Sequence, residues 1–482
     1  MRRPLAYSLA QRIAETAIVL VGLVVLARLL APEAFGLFAT VYASILLVEG
    51  FCRTGTVAAI VRLERIDDGR ATSAALFAAG AAAGGALLVV GLGVALSLAT
   101  ELDRIVTAAL LPLLLGRIAL VPVRAVTEAI LTRALAFDAL CLIGVGAVSA
   151  NALVAISLAG GGAGAEALGA GALAEGLALA LGGALAARRE LPRLVRAPLH
   201  FGPVARSCWR VSLGGSLAEV SQVTLTTTCT ATLGAAATGV YDRARRVVGG
   251  FDDLLMNAVR PVVLPVLSER RRSGGHAREA YLFKVASISA VAWAFFGALA
   301  LLAEPVVLTL LGDGWLETVP VVRTLCLIGI AAPFHLTDGQ FLIALDRERE
   351  YLGIQALSQF ATVVLIVLAA PFGLVWLASA IVAGKAIKGF LTTAALRREL
   401  ALARERLLAA VLPSLATTLS TCAAVAALAA LTGLGEARPG SLLAVAALVA
   451  VPAFAMPAAA LRHPLWLELR VAGRRRITTA AE

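Results

Sequence analysis

Charged residues stand among apolar ones at spacings that can do chemistry. Arg12 and Glu15 are three apart, Glu49 and Arg53 four apart, and Arg117, Arg124 and Glu128 follow at intervals of seven and four. Asp242, Arg243, Arg246, Asp253 and Arg260 share one apolar stretch, the last three at heptad spacing. Such separations fall on one face of a helix. A guanidinium stays ionised in low dielectric and offers forked donors to carboxylate or phosphate oxygens. These faces can therefore lock helices through ion pairs or line a cavity for an anionic ligand. Glu49 with Arg53 and Arg124 with Glu128 suit bridges within a helix. Arg117 and Arg243 have no acid four residues upstream, and Arg246 has only Asp242, so positive charge is in excess. A cationic cavity for an anionic substrate is the expectation.

Other chemistries find little support. Cys52, Cys141, Cys208, Cys229, Cys326 and Cys422 are scattered singly, and the four histidines are far apart, so neither a metal site nor a disulfide framework is expected. The run Ala159-Gly-Gly-Gly-Ala-Gly164 and the pair Gly384-Lys385 lack the pattern of a phosphate-cradling loop, and no cofactor is expected. Nothing resembles a hydrolase or transferase site, so the chain reads as a non-enzyme. Lys385 and Lys388 read as side chains snorkelling to the inner surface, with ion coupling as the alternative.

The elements that position these residues follow from composition. Of 482 residues, 60% are apolar and 15% charged, against about 25% charged in soluble domains. The apolar residues run in long blocks without the alternation of a membrane barrel. An all-α polytopic membrane protein is expected, with about fourteen spans at 8–30, 35–61, 71–99, 105–133, 138–159, 166–187, 203–232, 238–266, 279–303, 317–345, 349–370, 372–396, 407–432 and 440–461. The N-terminal stretch reads as an uncleaved first helix. With the N-terminus inside, the inner segments carry 25 arginines and the outer ones 3, which places both termini in the cytoplasm. The net charge of +11 is thus topology, not a nucleic-acid footprint.

A repeat underlies this order. Leu30-Ala-Pro-Glu-Ala-Phe-Gly-Leu-Phe38 aligns with Leu233-Gly-Ala-Ala-Ala-Thr-Gly-Val-Tyr241 at an offset of 203, which sets Pro32 on Ala235 and Gly36 on Gly239. Pro32, Gly36, Gly234 and Gly239 are therefore expected hinge or loop residues. Two six-helix lobes, 1–198 and 199–400, precede two additional helices at 401–462 and a basic cytoplasmic tail at 463–482.

The passages Ala27–Phe38, Tyr241-Asp-Arg-Ala-Arg-Arg-Val247, Arg260-Pro-Val-Val-Leu-Pro265 and Leu301–Val307 with Leu311-Gly-Asp-Gly-Trp315 resemble the Wzx-type polysaccharide-biosynthesis flippases. These belong to the multidrug/oligosaccharidyl-lipid/polysaccharide superfamily, and the likeness covers roughly residues 8–400. It implies alternating access around a central cavity. The implied substrate is an undecaprenyl-pyrophosphate-linked oligosaccharide, moved for O-antigen, capsule or exopolysaccharide synthesis. Arg12, Glu49, Arg53, Arg117, Arg124, Arg243 and Arg246 become cavity candidates by position, beside Asp242 and Arg260 read from spacing. Membrane lipids, a polysaccharide polymerase and a chain-length regulator are the expected partners. Thr224-Leu-Thr-Thr-Thr-Cys-Thr230 stands where such proteins often carry an acidic residue or Asn. Two alternatives are a multidrug or cation antiporter of the same superfamily, marked by cavity carboxylates, and a non-transporting scaffold of a polysaccharide synthase, which needs no charges within its spans.

Overall fold

A computed structural model describes the backbone of residues 2–61, 68–99, 104–188, 201–272, 277–345, 347–432 and 439–467. The side chains of 2–13, 96–99, 104–108 and 251–272, and of residues 68, 218, 340, 344 and 432, lie outside that description. Among the described residues the secondary structure is helical, without strands. Lipid has no donors or acceptors for backbone groups, so an apolar chain satisfies them within helices.

The first set of helices is α1 (Arg2–Leu29), α2 (Pro32–Val61), α3 (Asp68–Ala99), α4 (Arg104–Ala119), α5 (Val121–Arg133), α6 (Phe137–Gly160), α7 (Ala165–Ala187) and the long α8 (Phe201–Arg272). The second set is α9 (Ala277–Leu301), α10 (Ala303–Leu310), α11 (Thr318–Cys326), α12 (Ile328–His335), α13 (Asp338–Ala344), α14 (Glu348–Ala369), α15 (Leu374–Glu399), α16 (Arg404–Thr432) and α17 (Pro439–Ala460). All fourteen expected spans coincide with helical segments. Eleven are long and apolar enough to cross a membrane, counted over the described residues. The other three are α1 and the two arms of α8. Those arms meet at Gly234, whose φ of 89° and ψ of 172° break the helix in a region costly for any residue with a Cβ.

Two compact units emerge. One comprises Met1–Asp242 with Ile366–Leu374, the other Arg243–Leu365 with Val375–Glu482. The expected lobe boundary at 198/199 differs from this division, because the first arm of α8 packs with the N-terminal unit: Ser212 Oγ donates to the Phe51 carbonyl at 2.5 Å. Within that unit α2 is the most enclosed helix, flanked by α3, α4, α5 and α7, while α1 packs on α6. In the C-terminal unit α9 holds that place, against α11, α12 and α16. The last two helices belong to this unit, α16 on α9 and α17 on α16 and α10. The hydroxyls of Ser289 and Ser414 meet at 2.8 Å, and Ser414 also meets Nε2 of the buried His463 at 3.2 Å.

The repeated loops form a helix crossing with no room for side chains. A Cβ on Gly36 would overlap the Ala235 carbonyl, and one on Gly239 would overlap the Pro32 carbonyl. Since Pro32 aligns with Ala235 and Gly36 with Gly239, each copy offers its glycine to the other copy's third residue, the reciprocity of a two-fold contact. Hydroxyls extend the seam, Thr40 to Thr230 at 2.6 Å and Thr230 to Thr238 at 2.8 Å.

Candidate functional site

The N-terminal unit gathers the charges of its spans into one network. Tyr42, Glu49 and Arg53 lie along a face of α2. Arg117 comes from α4, and Arg124 and Glu128 from α5. A break at Leu120, just before Pro122 at the start of α5, separates α4 from α5. The buried Arg117 is the hub. Its Nε donates to Glu49 Oε1 at 2.6 Å and its Nη2 to Glu49 Oε2 at 3.4 Å. Nη1 donates to the Ala172 carbonyl at 2.5 Å and to Glu175 Oε2 at 3.2 Å, both on α7. Asn151 of α6 donates to the same Glu175 oxygen at 2.8 Å, and the guanidinium lies 5.4 Å from the Tyr42 ring centre.

Around this hub the remaining charges pair across helices. Arg124 Nη1 donates to Glu49 Oε1 at 3.0 Å, and Arg53 Nη1 to Glu128 Oε1 at 3.1 Å. The bridges expected within helices, Glu49 to Arg53 and Arg124 to Glu128, are thus replaced by exchanged partners between α2 and α5. The reason is geometric: each carboxylate faces the neighbouring helix, where a pair also joins two elements. Arg117 likewise finds its acids on α2 and α7.

A cavity of about 640 Å³ opens beside the network. Its lining combines polar Glu49, Arg53, Arg124, Thr127, Glu128, Thr132 and Glu219 with apolar Leu46, Leu131, Phe137, Leu140, Ile143 and Leu179. Of the expected cavity residues, Glu49, Arg53 and Arg124 line it, whereas Arg117 is buried behind Glu49. Counting Arg117 with the polar lining, three arginines face three carboxylates, and Glu175 adds a fourth. Within this unit the network has no excess of positive charge.

The remaining candidates are placed elsewhere. Asp242 and Arg243 are buried and Arg246 half-buried at the start of the second arm of α8. The side chains of Arg12 and Arg260 lie outside the described residues. Pro32, Gly36, Gly234 and Gly239 form the crossing and kink already described. Glu175, Asn151 and Tyr42 were not anticipated: only packing shows that Glu175 and Tyr42 meet Arg117 and that Asn151 meets Glu175.

The C-terminal unit holds a second polar cluster, which spacing does not reveal. The tenth span is broken between α12 and α13, with Leu336 extended and Thr337 left-handed at φ 65°. The break takes the Pro333 and Phe334 carbonyls out of the helical ladder, and side chains replace the lost donors. Lys284 Nζ on α9 donates to the Pro333 carbonyl at 2.8 Å, and Thr392 Oγ1 on α15 to the Phe334 carbonyl at 2.8 Å. Lys284 also pairs with Asp338 at the start of α13, both fully buried, and the Tyr281 hydroxyl donates to Asp338 Oδ2 at 3.5 Å.

Comparison with solved structures places this architecture. The chain is similar to the lipid II flippase MurJ in an inward closed conformation, with a TM-score of 0.73 at 13% identity over 96% of this chain and 99% of that one. It is also similar to a MATE family multidrug resistance transporter of the MOP superfamily in an inward-facing conformation, with a TM-score of 0.56 at 17% identity over 82% and 98%. An outward-facing form of such a transporter gives 0.52 at 17% identity over 83% and 95%. These likenesses establish a shared fold. No curated protein matches the chain in sequence. The family model described as polysaccharide biosynthesis protein matches residues 25–320, more than half the chain. With its helices, repeat and charged spans so arranged, the chain belongs to the polysaccharide biosynthesis protein family.

Proposed function

We propose that the protein is a flippase that carries lipid-linked oligosaccharide repeat units across the bacterial inner membrane, for O-antigen, capsule or exopolysaccharide synthesis. The observation that carries this reading is the cavity of about 640 Å³ in the N-terminal unit, lined by guanidinium, carboxylate and hydroxyl groups together with aliphatic side chains and Phe137. Saccharides present the same mixture, hydroxyl edges and apolar ring faces, and their hydroxyls can donate to Glu128 or accept from Arg53. The family and the fold support a transporter rather than an enzyme. Both termini are cytoplasmic in this reading, as the arginine asymmetry requires. A polymerase and a chain-length regulator would act on the delivered product.

A cation antiporter is the second reading, since MATE transporters share the fold. It is weakened because Glu49 and Glu128 are both bonded to arginines. Vesicles reconstituted with the full chain distinguish the two. A short-prenyl pyrophosphate saccharide loaded in one leaflet should reach the other faster than in protein-free vesicles. Absence of movement together with proton- or sodium-driven drug uptake would replace the flippase with the antiporter. For the access cycle, a Glu33→Cys/Ala236→Cys pair beside the glycine crossing should crosslink, stop transport and release it on reduction. Crosslinking with undiminished transport would remove opening at this crossing from the reading.

A further inference from the structure

The carboxylates that line the N-terminal cavity differ in how far arginines engage them. Glu49 is engaged at both oxygens: Oε1 accepts from Arg117 and Arg124, and Oε2 from Arg117. Glu128 accepts from Arg53 through Oε1 alone, in a pair that stays half-exposed. Glu219 lines the same cavity, half-buried, and among the described residues it has neither a hydrogen bond nor an ion pair.

Packing explains how this carboxylate comes to the cavity. Ser212, Gly215 and Glu219 follow at intervals of three and four, along one face of the first arm of α8. Ser212 donates to the Phe51 carbonyl of α2, and a Cβ on Gly215 would come within 2.9 Å of Thr54. That face therefore lies against α2 and brings Glu219 into the lining shared with Leu46, Glu49 and Arg53. Along the helix, Glu219 stands 18 residues after Phe201 and 15 before the kink at Gly234. At about 1.5 Å per residue those distances are roughly 27 and 23 Å. A glutamate side chain is too short to reach either end, so its charge is solvated by the cavity or by what enters it.

In the lining, Arg53 and Arg124 stand against Glu49, Glu128 and Glu219, a formal excess of one negative charge among the described residues. Arg117 and Glu175 behind them leave the same excess. We propose, resting on the flippase reading, that Glu219 is a specificity-determining residue of this cavity, favouring sugars with a protonated amino group over neutral sugars, and neutral sugars over uronic acids. An ammonium group gains a charge-assisted hydrogen bond from a carboxylate that no arginine holds, so no existing pair has to break. A neutral sugar offers Glu219 only hydroxyl donors. A uronate meets the negative excess and reaches Arg53 or Arg124 only beside the glutamates that they already hold, which is discrimination by repulsion.

Farnesyl-pyrophosphate-linked glucosamine, glucose and glucuronic acid test the selection. Each is titrated calorimetrically into the purified full-length protein slightly below neutral pH, where an amine is protonated and an ordinary carboxylate ionised. The wild type should bind the glucosamine lipid about fivefold more tightly than the glucose lipid, and the glucuronic acid lipid more weakly still. Either neutral variant, Glu219→Gln or Glu219→Ser, that elutes as the wild type does on gel filtration should bring the glucosamine and glucose lipids to equal affinity and strengthen binding of the glucuronic acid lipid. Glu219→Asp should keep the wild-type order. Equal binding of all three lipids by the wild type overturns the proposal, as does an unchanged order in the neutral variants or an equal change in Glu405→Gln, an exposed carboxylate at the start of α16. The same lipids in reconstituted vesicles separate this inference from the reading beneath it. If the neutral variants lose the order but the wild type moves none of the lipids, the flippase reading fails and the selection by Glu219 remains. If the wild type moves the lipids and the variants bind and move them in the same order, the selection fails while the flippase stands.

Discussion

The two units hold charge within apolar helices in opposite ways. In the N-terminal unit, long helices bring arginines against glutamates, and Arg117 ties α2, α4 and α7 together. In the C-terminal unit one fully buried pair, Lys284 and Asp338, closes a broken helix, with Lys284 also donating to the Pro333 carbonyl that the break frees. Balanced pairs cost little net charge and can be spread through a scaffold. A pair buried from water on every side costs more and depends on both partners and on the backbone group that it satisfies. Composition alone does not distinguish these cases, since both look like charges in spans.

Removing one partner from each network tests that contrast, and the largest effect is expected at Lys284 and Asp338. Lys284→Met or Asp338→Asn alone leaves a fully buried group uncompensated and should destabilise the protein by about 3–5 kcal/mol. The double change Lys284→Met/Asp338→Leu should recover most of this in thermal unfolding of the purified protein. A single variant as stable as the wild type would show that the pair is not needed by the fold. Arg117→Met should come next, at about 3 kcal/mol, because Glu49 keeps Arg124 while Glu175 keeps only Asn151. Adding Glu49→Gln should restore part of the lost melting temperature. The smallest stability effect belongs to Arg53→Ala, whose half-exposed pair with Glu128 contributes about 0.2–1 kcal/mol. Its membrane abundance should match wild type while glycan export falls, with Arg53→Lys restoring export only in part. Arg246→Ala should behave alike. Normal export in either alanine variant would exclude that arginine from substrate handling.

The span order was legible because lipid forces helices and charged breaks separate the apolar blocks. Glu49, Arg53, Arg117 and Arg124 were legible as a group, since charges are too costly in spans to be incidental. Their partners were not, because pairing across helices depends on which faces pack, and periodicity describes one helix at a time. The broken tenth span did leave a trace. His335-Leu-Thr-Asp-Gly339 places turn-forming residues inside an apolar run, the signature of a helix end and a new start. The rarity of lysine was equally visible, whereas the pairing of Lys284 with Asp338 requires the fold.

The glycine crossing also bears on ancestry. A contact in which Gly36 meets Ala235 and Gly239 meets Pro32 uses one surface twice, so a single ancestral sequence would satisfy both sides at once. A half-length chain carrying that loop could have made the same crossing with a second copy of itself. Gene fusion would then have joined two subunits already fitted to each other, and later substitutions, such as proline in one copy and alanine in the other, were free wherever the two glycines kept the backbones in touch.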